Sequence, residues 1–143
     1  MDQEFVVVNK AVFLTRLERL REYLDLLEKV ARIPVERFVQ DPFVYGTAER
    51  HLHLAIECLL DIGNHIISDR GFPKPDTYAD IFRILREHDV IPESLLRELD
   101  GMAAFRNVLV HDYVRLDRKR VHDIIHEKLV SMKKLGEIFA KMI

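Results

Sequence analysis

The chain has 143 residues, 48% apolar and 32% charged, with a formal net charge of −2. This is one globular domain, residues 1–143, long enough to bury a core of its own, and it excludes a disordered chain. The near-balanced charge also excludes a general field that would draw nucleic acid or an acidic membrane onto the whole surface, so any such contact needs a local basic patch. The single cysteine, Cys58, leaves no internal disulfide, as expected in a reducing cytoplasm. The opening Met1-Asp2-Gln3-Glu4 is acidic where a secretory signal is basic, and no apolar run approaches the ~20 residues that span a bilayer. A cytoplasmic protein with no membrane association is expected.

Glycine and proline are few, five each, and cluster at boundaries, which suits long helices. The first helix is predicted from about Val6 to Arg32, where Phe13, Leu17, Leu20, Leu24, Leu27 and Ala31 recur at spacings of three and four. Pro34 ends it, and a short turn over Val35–Gln40 follows. Asp41-Pro42 has the form of an N-cap with proline at the first helical position. The helix it opens runs to about Ser68 and buries Leu52, Ala55, Ile56, Leu59, Gly63, Ile66 and Ile67. After the Gly71–Pro75 loop, Asp76 or Thr77 caps a third, shorter helix with Tyr78, Ile81, Phe82 and Leu85 inward. Pro92 opens a fourth helix carrying Leu95, Leu96, Leu99, Met102, Phe105 and Leu109. Asp117 caps a fifth, with Val121, Ile125, Leu129, Met132, Leu135 and Phe139 in one stripe. The expected fold is all-α, an antiparallel bundle of four to five helices.

The segment with chemical content is Phe105-Arg106-Asn107-Val108-Leu109-Val110-His111-Asp112-Tyr113. At about 100° per residue, Arg106 and Tyr113 fall nearly in line, and so do Asn107 and His111. Between these polar rows lie Ala103, Val110 and Val114, a small apolar strip that suits a partner. If the partner is an identical subunit on a two-fold axis, two copies of Arg106, Asn107 and His111 converge. Histidine serves as base or acid near neutral pH, arginine offers a permanent forked donor to phosphate, and asparagine orients either. Attack of a ribose 2′-OH on the adjacent phosphorus requires such groups and no metal. Arg106 and His111 are about 140° apart on a straight helix, so joint use within one subunit requires the helix to end or distort near His111. Both are expected to face away from the core.

Arg106-x4-His111-x-Tyr113 resembles the signature of HEPN domains in the HepT toxin branch. Glu49-Arg50, Asp61-Ile62-Gly63-Asn64-His65-Ile66-Ile67 and Tyr78-Ala79-Asp80-Ile81-Phe82 are similar to family segments too, so the likeness covers roughly Asp41 to Phe139. The resemblance implies a homodimeric helical bundle acting as a metal-independent endoribonuclease, the toxin of a prokaryotic toxin–antitoxin pair. Its partner is a nucleotidyltransferase antitoxin of MNT type, which silences the toxin by attaching AMP at the motif tyrosine, here Tyr113. Arg106 and His111 carry over as catalytic residues and Asn107 as a supporting one, with RNA, tRNA or mRNA, as substrate. A second reading is a non-catalytic, nucleotide-binding partner subunit of the nucleotidyltransferase.

Asp61 and Asn64 either line the cleft in support of His111 or form an ordinary polar helix edge. Glu57, one turn earlier, has the same ambiguity. Arg115, Arg118, Lys119 and Arg120 follow the motif and are expected to guide the RNA backbone. His122 and His126 are four apart, a spacing that binds metal, yet no carboxylate or cysteine pattern completes a site; a solvated helix face is expected. No metal ligands and no cofactor are assigned.

Overall fold

The computed structural model describes residues 2–111, 114 and 116–142. Its helices are α1 (Asp2–Ala31), α2 (Val35–Phe38), α3 (Pro42–Asp69), α4 (Tyr78–Glu87), α5 (Glu93–Glu98), α6 (Met102–His111) and α7 (Arg118–Ala140), and no strand occurs among the described residues. The local signals explain most of these bounds. The Asp41 carboxylate accepts the Phe43 backbone N–H at 3.0 Å, and Pro42 occupies the first turn, where its missing N–H costs nothing. Thr77 and Asp80 form a full capping box at the start of α4. Asp117 caps α7 by accepting from Lys119 N at 3.0 Å. The first helix begins at Asp2, earlier than its apolar stripe suggests.

The single helix expected from Pro92 through Leu109 is instead two, α5 and α6. Gly101 stands between them at φ 83°, a left-handed conformation that glycine adopts without strain and that stops a helix. The stripe gave no warning of the break. Leu95, Leu99 and Met102 are spaced as on one straight helix, and all three are buried. Before the break, Glu98 ties α5 to α7: its backbone carbonyl accepts from Lys128 Nζ at 2.6 Å and its carboxylate from Ser131 Oγ at 3.2 Å. Lysine satisfies a carbonyl that the end of α5 leaves open.

Helix α3 is the centre of the bundle. It packs chiefly on α1 and also on α4, α6 and α7. Leu52, Ile56, Leu59, Ile62 and Ile66 on α3 are all fully buried, against Leu27 of α1 and Leu135 and Phe139 of α7. Gly63 lets α4 come close. A Cβ there would lie 2.8 Å from Ile81 Cγ2 and 3.2 Å from Leu85 Cδ1. The result is a scaffold that fixes α4 and α6 side by side over the middle of α3.

His122 corrects the expectation of a solvated histidine face on α7. Its side chain is buried, its Nε2 sits 2.9 Å from the Ile33 carbonyl oxygen, and its ring meets Phe38 edge-on at 5.0 Å. This is a histidine satisfied within the core wall. His126, next to it, stays exposed. Among the described residues, no three His, Cys, Asp or Glu side chains gather as a metal-binding cluster. No helix among them is long and apolar enough to cross a membrane.

Candidate active site

An open groove of about 830 Å³ lies between the Lys74–Ala79 turn and α6. Arg106, Asn107 and His111 line it from α6 and Asn64 lines it from α3. Three residues of the sequence motif therefore share one concavity within a single chain. The straight-helix projection had set Arg106 and His111 on different sides. Both nevertheless line this groove.

The two principal side chains have opposite surroundings. His111 is exposed at the helix end, as expected. Arg106 is not: its side chain is only 14% exposed and its Nε donates to Glu57 Oε1 of α3. The expectation that Arg106 faces away from the core is corrected accordingly. The fork is further held by Nη1 donating to Asn107 Oδ1 at 3.1 Å, and by the Tyr78 ring, whose centroid lies 4.9 Å from Arg106 Cζ. Glu57 in turn lies 3.5 Å from His53 Nε2, and His53 Nδ1 lies 3.4 Å from Arg50 Nη1. With Nδ1 accepting from Arg50, the ring proton sits on Nε2, facing Glu57. Arg50, His53, Glu57, Arg106 and Asn107 form one polar chain across α3 and α6.

Such a chain restrains a guanidinium without consuming it. One face of the fork is taken by Glu57 and Asn107, and the planar geometry leaves other N–H groups for a phosphate. Glu57 was the underrated residue of the sequence. Its signal was its place one turn before Asp61, on the α3 face that α6 covers, but its partner lies 49 positions away. Tyr78 was read as a core residue of α4, yet it is 45% exposed and lines the groove.

Asp61 and Asn64 separate. Asn64 lines the groove and Asp61 does not. Burial raises the Asp61 carboxyl above its ordinary value; the positive charge of Arg16 opposes this, Glu57 adds to it, and Arg106 opposes it more weakly. Asp61 belongs to the electrostatic surroundings of Arg106.

The apolar strip is also revised. Ala103 is buried, at 6% exposure, so it wedges into the protomer and lines the groove floor. Val110 is half-buried and Val114 is 84% exposed. Of the basic run, Arg118 stacks on Tyr45 with Cζ 4.0 Å from the ring centroid, Arg120 pairs with Glu127 at 3.6 Å, and Lys119 is exposed at the start of α7. None of the three lines the groove. Tyr113 and Arg115 lie outside the described residues.

The described residues form a helical fold in which Arg106, Asn107 and His111 line one groove. The particular family follows from sequence: the profile of the ribonuclease HepT-like family matches residues 20–138, and the chain belongs to that family. The tRNA nuclease HepT of Aphanizomenon flos-aquae is 28% identical over 114 residues, covering 80% of this chain and 78% of that protein. The mRNA nuclease HepT of Shewanella oneidensis is 26% identical over 102 residues, covering 71% and 77%. Among solved structures, cytosolic YutE of Bacillus subtilis superimposes with a TM-score of 0.83 at 25% identity, covering 94% of this chain and 90% of that one. The tri-AMPylated Shewanella oneidensis HEPN toxin, solved in complex with its MNT antitoxin, superimposes with a TM-score of 0.81 at 22% identity, covering 91% and 97%. The last agreement is one of fold.

Proposed function

We propose that the protein is the toxin of a toxin–antitoxin pair and a metal-independent endoribonuclease whose active centre is completed across a homodimer axis. The observation that carries this reading is the convergence of Arg106, Asn107 and His111 in one groove. His111 takes the proton of a ribose 2′-OH, the oxygen attacks the adjacent phosphorus, Arg106 offsets the charge on the phosphoryl oxygens and the Asn107 amide donates a hydrogen bond to them. The departing 5′-oxygen needs a proton, and the products are a 2′,3′-cyclic phosphate and a 5′-hydroxyl. Among the described residues, His111 is the one histidine lining the groove. A second copy of the chain supplies a second histidine as the acid, which is the chemical reason for a composite site. The exposed Val114 and half-buried Val110 near the groove give that copy apolar surface to meet.

Both tRNA and mRNA nucleases are among the relatives, so RNA is the substrate class and either kind of target fits. Lys119, Arg118 and Arg120, outside the groove, are assigned to the RNA backbone, and so is Arg115. A nucleotidyltransferase antitoxin of MNT type is the proposed partner, acting by AMP transfer to Tyr113. The tri-AMPylated relative held by its MNT antitoxin supports that assignment. A phosphate ester at Tyr113, two residues from His111, would bring negative charge to the site where RNA phosphate must bind.

The test is cleavage of cellular RNA in EDTA by wild type and by His111→Ala, with the cut ends mapped. Discrete cuts ending in 2′,3′-cyclic phosphate, made by wild type alone, are expected. No cleavage by protein shown by mass to carry no AMP would replace this reading with that of a non-catalytic partner subunit. Light scattering on Val110→Glu tests the axis: monomers without activity are expected, and an intact dimer would move the interface elsewhere.

A further inference from the structure

The groove holds a side chain that the cleavage chemistry does not use. Tyr78 stands at the first position of α4, and its ring is 45% exposed although one side faces the Arg106 guanidinium. An aromatic ring so placed is rigidly held. The Thr77–Asp80 capping box fixes the backbone turn that carries it, with Asp80 Oδ2 accepting from Thr77 N at 3.0 Å and from Asp76 N at 3.1 Å. Lys74, on the same turn and exposed, lines the same groove. Ring, guanidinium and ammonium thus line one concave surface. Those groups suit a single strand, which offers bases to an aromatic face and phosphates to cations. Asp76, also on the groove, puts a negative charge beside Lys74 and disfavours a stretch of closely spaced phosphates such as a duplex presents.

We infer that the Lys74–Tyr78 turn is a nucleotide subsite, in which an unpaired base next to the scissile phosphate stacks on Tyr78 while Lys74 holds the neighbouring phosphate. The inference rests on the ribonuclease reading and adds to it a selection for single-stranded RNA, made by this chain's own turn. Tyr78 is then a specificity-determining residue. It contacts substrate away from the reacting atoms, so its loss acts on binding before it acts on the chemical step.

The experiment separates these roles. Binding of a short fluorescent single-stranded RNA is measured by anisotropy in the His111→Ala background, with and without Tyr78→Ala, Tyr78→Phe and Lys74→Ala. Cleavage of the same RNA is measured in the otherwise wild-type chain. Tyr78→Ala is expected to raise Kd and KM about tenfold or more, the usual loss for one stacked base, with kcat changed less than threefold, and Tyr78→Phe is expected to restore both. Lys74→Ala is expected to weaken binding and flatten its salt dependence. A duplex of the same sequence is expected to bind weakly and equally to all variants. A fall in kcat at constant KM for Tyr78→Ala would overturn the subsite and make the ring only a support for Arg106. Unchanged Kd for every variant would overturn it as well. Wild-type protein that binds the strand through Tyr78 without cutting it would keep the subsite and sink the ribonuclease reading.

Discussion

The frame of α1, α3 and α7 and the edge of α4 and α6 are built from different contacts. In the frame, helices of 30, 28 and 23 residues meet through side chains with almost no exposure. At the edge, two helices of 10 residues each flank Arg106, whose fork is held by Glu57 of α3, by the neighbouring Asn107 amide and by the half-exposed Tyr78 ring of α4. The frame obtains its stability from apolar area, which is tolerant of direction. The edge obtains its geometry from charge-assisted hydrogen bonds, which depend on direction and register. The proposed site sits where burial is incomplete, as access of an RNA phosphate to Arg106 and His111 would require.

That contrast predicts a separation of effects. The largest belongs to the edge. His111→Ala should lower cleavage by about 10²–10⁴-fold and leave Tm nearly unchanged, since the side chain is exposed. A large drop in Tm would show that the edge also carries the fold. Next comes the frame: Leu59→Ala should cost about 2–5 kcal/mol in denaturant unfolding, because Leu59 is fully buried in α3. Its activity per folded molecule should remain.

Gly63→Ala lies where frame and edge join. The added methyl meets Ile81 Cγ2 at 2.8 Å, on a branch that cannot swing away from its backbone. A loss of about 1–2 kcal/mol is expected, overpacking outweighing alanine's better helix propensity, and urea titration measures it. Thr77→Ala removes half of the capping box and should cost ~1 kcal/mol, with a visible rise in KM if the turn it fixes carries the Tyr78 subsite.

The smallest effect is electrostatic. The Asp61 carboxyl is raised in the fold, chiefly by burial. A raised acid titrates against folding: the folded state loses stability relative to the unfolded chain as pH rises through the ordinary carboxylate value. Asp61→Asn should therefore raise Tm slightly at pH 7, with the gain gone below about pH 3, where both states hold the proton. Thermal melts at the two pH values decide it. Cys58 is shifted by the same cause. Burial lifts its thiol to about 11, so alkylation at pH 8 should wait for unfolding.

The sequence alone determined the all-helical class, the caps at Asp41 and Asp117, a cap at Asp76 or Thr77, and the buried stripes of α1, α3 and α7. These depend on neighbours three, four or seven residues away, where helix geometry makes local spacing equivalent to spatial proximity. It also singled out Arg106, Asn107 and His111, through residue chemistry and the family likeness. Tertiary structure decided the rest. The α5–α6 break was written only in Gly101, inside an unbroken apolar stripe. The burial of Ala103 and of His122 depended on what packs opposite them. The pairing of Arg106 with Glu57 and its stacking on Tyr78 join residues 49 and 28 positions apart. No periodicity encodes such distances. They are set when apolar helices dock, and the polar groups carried with them then find the partners that remain.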